Sequence, residues 1–154
     1  SRAVLRAQNA NYDDYIKTLD IRVDIHDALP VECSRIAELT QRTNKCTNGR
    51  RYTAAQIKEK ICAEDIKLYS LSVSDRFSDL GIVGVIEIKK NTLLLFSLSC
   101  RALGWEIENK MIKFITDRHE INEIEFHSTD QNKDLEIMLM KEFSKAAIKN
   151  CNLT

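Results

Sequence analysis

Glycine and proline are nearly absent from this chain, with four Gly and one Pro in 154 residues. No Gly/Pro-rich linker divides it, so a single domain is the economical reading, large enough to bury roughly 70% of its unfolded surface. Net charge is missing too. The 23 basic and 23 acidic side chains cancel, and no overall field favours nucleic acid or an anionic membrane. No apolar run approaches the ~20 residues of a membrane span, and no charged-then-apolar leader precedes a cleavage site. Five cysteines, Cys33, Cys46, Cys62, Cys100 and Cys151, are odd in number and lack C-x-x-C spacing. With His26, His119 and His127 scattered, no metal site or disulfide framework is expected, and a reducing compartment is. The expectation is a soluble, cytoplasmic protein that binds neither nucleic acid nor membrane.

What the chain does have is alternation. Ile21, Val23 and Ile25 predict a first strand, Tyr69, Leu71 and Val73 a second, and Ile82, Gly84, Ile86 and Ile88 a third. Leu93 to Leu98 is almost continuously apolar, as suits a central strand covered on both faces. Ser99 to Gly104 then breaks the pattern, and helical spacing is expected from Trp105. Arg2 to Leu19 predicts a helix leading in from an upstream domain, so the chain is expected to begin inside a longer polypeptide, with 1–19 as lead-in and 20–154 as the domain. Pro30 suits a helix start, with Cys33, Ile36, Ala37 and Thr40 on one face. Gln41 to Arg51 reads as a polar loop. Thr53 and Gln56 have the spacing of a capping box before Ile57 and Ile61. Further on, Ile107, Met111, Phe114 and Ile115 predict a helix ending near His119, and Ile124 and Phe126 a short strand. Leu135, Met138, Leu139, Phe143, Ala146 and Ala147 predict a last helix. The order implies an α/β (α+β) mixed sheet with helices on both faces.

Element order and local words resemble a known family. The order is similar to the GNAT acyltransferase fold. The words ELTQRTN (Glu38 to Asn44), RRYT (Arg50 to Thr53), SDRFSDLGIVGV (Ser74 to Val85) and LSCRALG (Leu98 to Gly104) resemble the C-terminal GNAT-like domain of FkbH-like proteins, over roughly residues 20 to 132. That resemblance implies an upstream haloacid-dehalogenase-type (HAD) domain and an acyl carrier protein as partners. It also implies a place in making glyceryl-, hydroxymalonyl- or methoxymalonyl-type units. The D-x-D-x-[TV] nucleophile word of the dehalogenase-type half is not found here.

The same resemblance implies where a site would lie. GNAT enzymes wrap the coenzyme A pyrophosphate with a word of the type [RQ]-x-x-G-x-[GA] after the fourth strand; here Arg101, Leu103, Gly104 and Trp105 stand in it, as a loop for coenzyme A or phosphopantetheine. Glu106 replaces the final small residue, adding bulk and a like charge where phosphate would approach. A carboxylate in the first helical turn is favoured by the dipole by about 0.3–1 kcal/mol, so Glu106 is expected to fill the electrostatic place of a phosphate. The catalytic Tyr of many GNAT enzymes aligns with Leu139, which cannot protonate a thiolate. The usual closing pair of strands is also expected to be missing, unless Cys151 to Thr154 are a remnant. Thr43, Asn44, Arg51, Tyr52 and Arg76 are the candidate substrate-binding residues. Arg51 reads either as a clamp for a carboxylate or phosphate or as part of a self-capping loop. The catalytic candidates are Cys100, as an acyl-carrying thiol or an apolar filler, and Asp75, as an acid or half of a turn-shaping ion pair with Arg76.

Overall fold

The computed structural model describes residues 2–4 and 11–153. Residues 2–4 are helical and α1 spans Tyr12–Leu19; the part of the predicted lead-in helix between them lies outside the described residues. Strand β1 (Arg22–Asp27) follows, then a 3-10 turn (Pro30–Glu32) running into α2 (Cys33–Arg42). Next come β2 (Cys46–Thr47), α3 (Ala54–Cys62), β3 (Ile66–Ser74), β4 (Asp79–Lys89) and β5 (Thr92–Leu98). A 3-10 turn (Cys100–Ala102), α4 (Ile107–Arg118), β6 (Glu123–Phe126), α5 (Lys133–Glu142) and β7 (Ala147–Asn150) complete the order.

One seven-stranded mixed sheet runs β1-β3-β4-β5-β6-β7, with β2 paired to β5 off that path. β1, β3, β4 and β5 are antiparallel neighbours, while β5–β6 and β6–β7 are parallel. Two apolar clusters form on it. The larger joins Ile86, Leu93 and Phe96 to Ile107, Met111 and Ile115 of α4 and Leu135 and Leu139 of α5. The smaller joins Val85 and Leu95 to Ile36 and Leu39 of α2 and Ile57 of α3. β4 and β5 supply both clusters, so these two strands are covered on both faces, as their apolar runs require.

Three sequence expectations are corrected. The polar stretch 41–51 contains β2. The last helix stops at Glu142, because Ala147 to Asn150 are captured by the open edge of β6: the apolar spacing of Phe143, Ala146 and Ala147 fits a helix, but parallel pairing with Glu123–Phe126 wins. A closing strand therefore exists, at 147–150 rather than after Cys151. Helix α4 begins at Ile107, since Gly104 (φ 85°) and Glu106 (φ 61°) both take left-handed backbone. Glu106 is thus the residue before the helix, and Glu108 is the acid of the first turn.

Two buried polar networks tie the helices down. Glu87, fully buried on β4, accepts the Tyr52 hydroxyl, and Lys60 Nζ lies 3.3 Å from its Oε2 as an ion pair rather than an aligned hydrogen bond. Lys60 also sits 5.3 Å from the centroid of the Tyr52 ring, and burial together with the Glu87 charge pushes the phenol up. Near β1, His26 Nδ1 is 2.8 Å from Asp24, and His26 Nε2 is 2.9 Å from Glu32 and 2.8 Å from Ser70 Oγ. The Ser–His–Asp distances resemble a nucleophile relay, but Ser70 is buried and donates its proton to Glu32 (2.9 Å), and the flanking carboxylates favour donation by both ring nitrogens. Burial works against the His26 charge; the hydrogen bonds to Glu32 and Asp24 outweigh it and raise the pKa.

Three outcomes are expected. Tyr52→Phe, which leaves Glu87 buried without its donor, should cost about 1–3 kcal/mol in denaturant unfolding. Tyr52→Phe combined with Glu87→Met should cost less than the single change, because the fully buried carboxylate is then gone and Lys60, part exposed, can turn its ammonium to water. His26→Gln should destabilise by about 1–2 kcal/mol near pH 6. A raised histidine pKa stabilises fully below the unfolded value, so this difference should shrink as pH rises through the folded pKa. A pH-independent gap in chemical unfolding would contradict the charged network.

Candidate functional site

β5 and β6 run parallel but are bonded only at their starts, with Thr92 opposite Glu123 and Leu93 opposite Ile124. Beyond that their carboxyl ends diverge. A crevice at the carboxyl ends of parallel strands is the usual ligand position in an open α/β sheet. Here the chain itself fills it. Cys46 and Thr47 pair antiparallel with Leu98 and Ser97 on the edge of β5 that β6 has left. Asn48, fully buried, then bridges the strands: its Nδ2 donates to Leu94 O (2.7 Å) and Glu125 O (3.0 Å), and its Oδ1 accepts from Phe96 N (3.2 Å). Its backbone does the same, with Asn48 N donating to Phe96 O (3.0 Å) and Asn48 O accepting from His127 N (2.8 Å).

The neighbours of Asn48 hold it there. Gly49 has φ 97°, and a Cβ on it would lie 2.8 Å from the Cβ of His127, so only glycine lets the backbone turn this close. Arg50 Nε donates to Leu94 O (2.8 Å) and its guanidinium pairs with Glu125. Asn132, just before α5, donates to Thr47 O (3.0 Å) and His127 O (2.8 Å). Beside this plug a cavity of about 190 Å³ remains, lined by Cys46, Leu103, Glu108, Asp134 and Met138 among others. Burial first, then the Glu108 and Cys100 charges, push the Cys46 thiol up to about 12, which keeps it protonated. Glu108 Oε2 is buried there without a hydrogen-bond partner.

The residues singled out from the sequence fall into three places. Thr43, Cys100 and Arg101 line one polar cleft between the end of α2 and the turn after β5, where the words ELTQRTN and LSCRALG meet. Next to it Arg51 is committed to the end of α2, donating to Thr40 O (2.9 Å), Gln41 O (2.6 Å) and Asn44 Oδ1 (2.8 Å). The second place is the β3–β4 turn. Asp75 accepts from Phe77 N and Ser78 N and pairs with Arg2 at 2.5 Å. Burial would raise its pKa, but Arg2 and the two N–H groups hold the carboxyl below its usual range. Arg76 docks on α1, its backbone N 2.8 Å from Leu19 O, and does not pair with Asp75. Arg2 also stands 5.8 Å from the Trp105 ring, joining the loop of Leu103 and Gly104 to this turn. Tyr52, the third place, is turned into the core onto Glu87.

Asn48, Asn132, Glu87 and Glu108 were not singled out. The one local signal was the Asn48-Gly49 pair, a turn dipeptide. Its burial follows from the parting of β5 and β6, which no local word announces. Asn48→Ala should remove three hydrogen bonds, taking from Phe96 N its side-chain acceptor and from Glu125 O its side-chain donor, and cost about 2–5 kcal/mol in chemical unfolding. A cost under about 1 kcal/mol would mean that the two strands do not depend on this bridge.

No family model matches the chain, and no curated protein matches it. Among solved structures, the chain is similar to a transcriptional regulator from Bacillus halodurans, with a TM-score of 0.56 and 13% identity over 78% of this chain and 91% of that one. It is also similar to a spermidine N-acetyltransferase mutant from Vibrio cholerae, with a TM-score of 0.49 and 11% identity over 79% of this chain and 77% of that one. At these identities the likeness concerns the fold. The fold of this chain is a GNAT-like mixed α/β fold.

Proposed function

We propose that this chain is the GNAT-like domain of an FkbH-like protein. In this reading it serves as a binding module for an acyl carrier protein bearing a phosphopantetheine arm, and carries out no acetyl-CoA chemistry of its own. The single observation behind the second half of that reading is the filled crevice. An extended thioester arm entering between β5 and β6 would compete with Cys46, Thr47 and Asn48 for the backbone of Leu94, Phe96 and Leu98. Those partners are already satisfied, so displacement would expose buried polar groups.

Two further features agree. Leu139, at the position of the acid in many GNAT enzymes, is fully buried and has no proton to give. Glu106 follows the loop of Arg101 to Trp105 in left-handed backbone, just before α4, and its negative charge there disfavours a pyrophosphate at the helix start. The carrier-protein half of the reading rests on the four words shared with FkbH-like proteins. Two of them converge on the cleft of Thr43, Cys100 and Arg101.

Calorimetric titration with acetyl-CoA and with a phosphopantetheinylated carrier protein tests both halves. Carrier binding is expected, with acetyl-CoA held more weakly than micromolar and no more tightly than coenzyme A without its acetyl group; micromolar acetyl-CoA affinity would overturn the loss of CoA chemistry. Glu106→Gly relieves a left-handed non-glycine residue and should stabilise the fold by about 0.5–1 kcal/mol without creating CoA affinity. CoA binding gained by that change alone would place the block in the loop instead of the crevice.

A further inference from the structure

The cleft shared by Thr43, Cys100 and Arg101 has a volume of about 430 Å³ and a lining rich in arginine. Arg35 and Arg42 of α2 line it together with Arg101, against one carboxylate, Glu38. Glu38 pairs with Arg35 at 2.8 Å and stands 3.9 Å from Arg42, so one anion is divided between two guanidinium groups. Among the described residues Arg101 makes no salt bridge, and its guanidinium has a 3.5 Å contact to Leu80 O. In a chain of zero formal net charge, three cations facing one carboxylate in a single cleft leave a local positive excess.

The unused donors have the chemistry of a phosphate site. Arg35 spends Nε on Ile82 O and Nη1 on Glu38 and keeps its other guanidinium donors. Ser99 accepts from Arg101 N, and its own O–H is uncommitted. Thr43 is different, since its hydroxyl already donates to Leu39 O at 2.7 Å. Guanidinium groups arriving from two elements, a helix and a strand-to-helix turn, suit a tetrahedral anion whose oxygens point in several directions better than a planar carboxylate. Three arginines without a stripe of cations or a stacking aromatic in the cleft do not make a nucleic-acid track.

We infer that this cleft is a phosphate-ester site, with Arg35, Arg42 and Arg101 supplying the charge and Ser99 a hydroxyl. The bearer of the phosphate rests on the reading proposed above, in which it is the phosphodiester joining the pantetheine arm to a carrier protein; a free small phosphate monoester offers those two oxygens and a third. Cys100, exposed in the same cleft, reports on occupancy.

Calorimetry with phosphopantetheine, pantetheine and inorganic phosphate tests the site. Phosphopantetheine and phosphate should bind, more weakly as salt rises and as pH falls below about 6, where the phosphate loses its second charge. Pantetheine should not bind. Arg42→Gln with Arg101→Gln, both at exposed positions, should weaken binding by roughly tenfold or more, while Lys110→Gln with Lys113→Gln, the same charge loss on α4, should not. Equal binding of pantetheine, no binding of either phosphate compound, or no effect of the double variant would overturn the inference. Should the double variant fail to fold, the rate of iodoacetamide labelling at Cys100 in the native chain decides: phosphopantetheine should slow it, and an unchanged rate refutes the site. A holo-carrier protein that binds independently of Arg42 and Arg101 would refute the cleft and keep the carrier reading. Phosphopantetheine binding without carrier binding would do the reverse.

Discussion

Everything at the functional end of this molecule depends on how the gap between β5 and β6 is closed. Two parallel strands that part after two residue pairs leave carbonyl and N–H groups facing nothing, and a buried backbone group without a partner costs about 1–3 kcal/mol. Asn48 is the side chain that resolves this, because one amide can donate twice and accept once from two separating strands. Arg50, Gly49 and Asn132 then exist to hold Asn48 in place. An interior that would suit an extended ligand has become a continuation of the sheet.

This arrangement separates fold from chemistry. The strands and helices of the GNAT-like fold are intact, while the three positions at which the proposed reading looks for thioester chemistry are otherwise engaged. The crevice holds β2 and Asn48, the loop after β5 carries Glu106 in left-handed backbone, and the acid position of α5 is a buried leucine. Polar donors remain free on the other side of the β5 terminus, in the arginine-lined cleft. Recognition of an anion there asks for charge and position only, and needs neither a proton donor nor a path through the sheet.

Much of the fold was legible because it rests on periodicity. The alternation of β1, β3 and β4, the apolar run of β5 and the Thr53–Gln56 cap all reflect local rules that a sequence states directly. The differences arose where tertiary pairing overrode local preference. Ala147 continues a helical pattern but lies beside an open strand edge, and Cys46–Thr47 are two residues in a polar stretch that became a strand only because β5 had an unpaired rim. The site was less legible for the same reason. Asp75 and Arg76 looked like partners, yet each answers to a distant group, Arg2 and α1. Tyr52 looked like an acceptor-site residue, and its hydroxyl went to a carboxylate that alternation alone would have placed on the solvent face, yet is fully buried.

The most direct test of the closed crevice is amide hydrogen exchange at Asn48, Phe96 and His127. If the chain's own segment is the permanent occupant, these amides should exchange only through global unfolding, with protection matching the unfolding free energy and unchanged by acetyl-CoA. Exchange well below that limit, or exchange that shifts when acetyl-CoA is added, would show a plug that opens and would contradict the account.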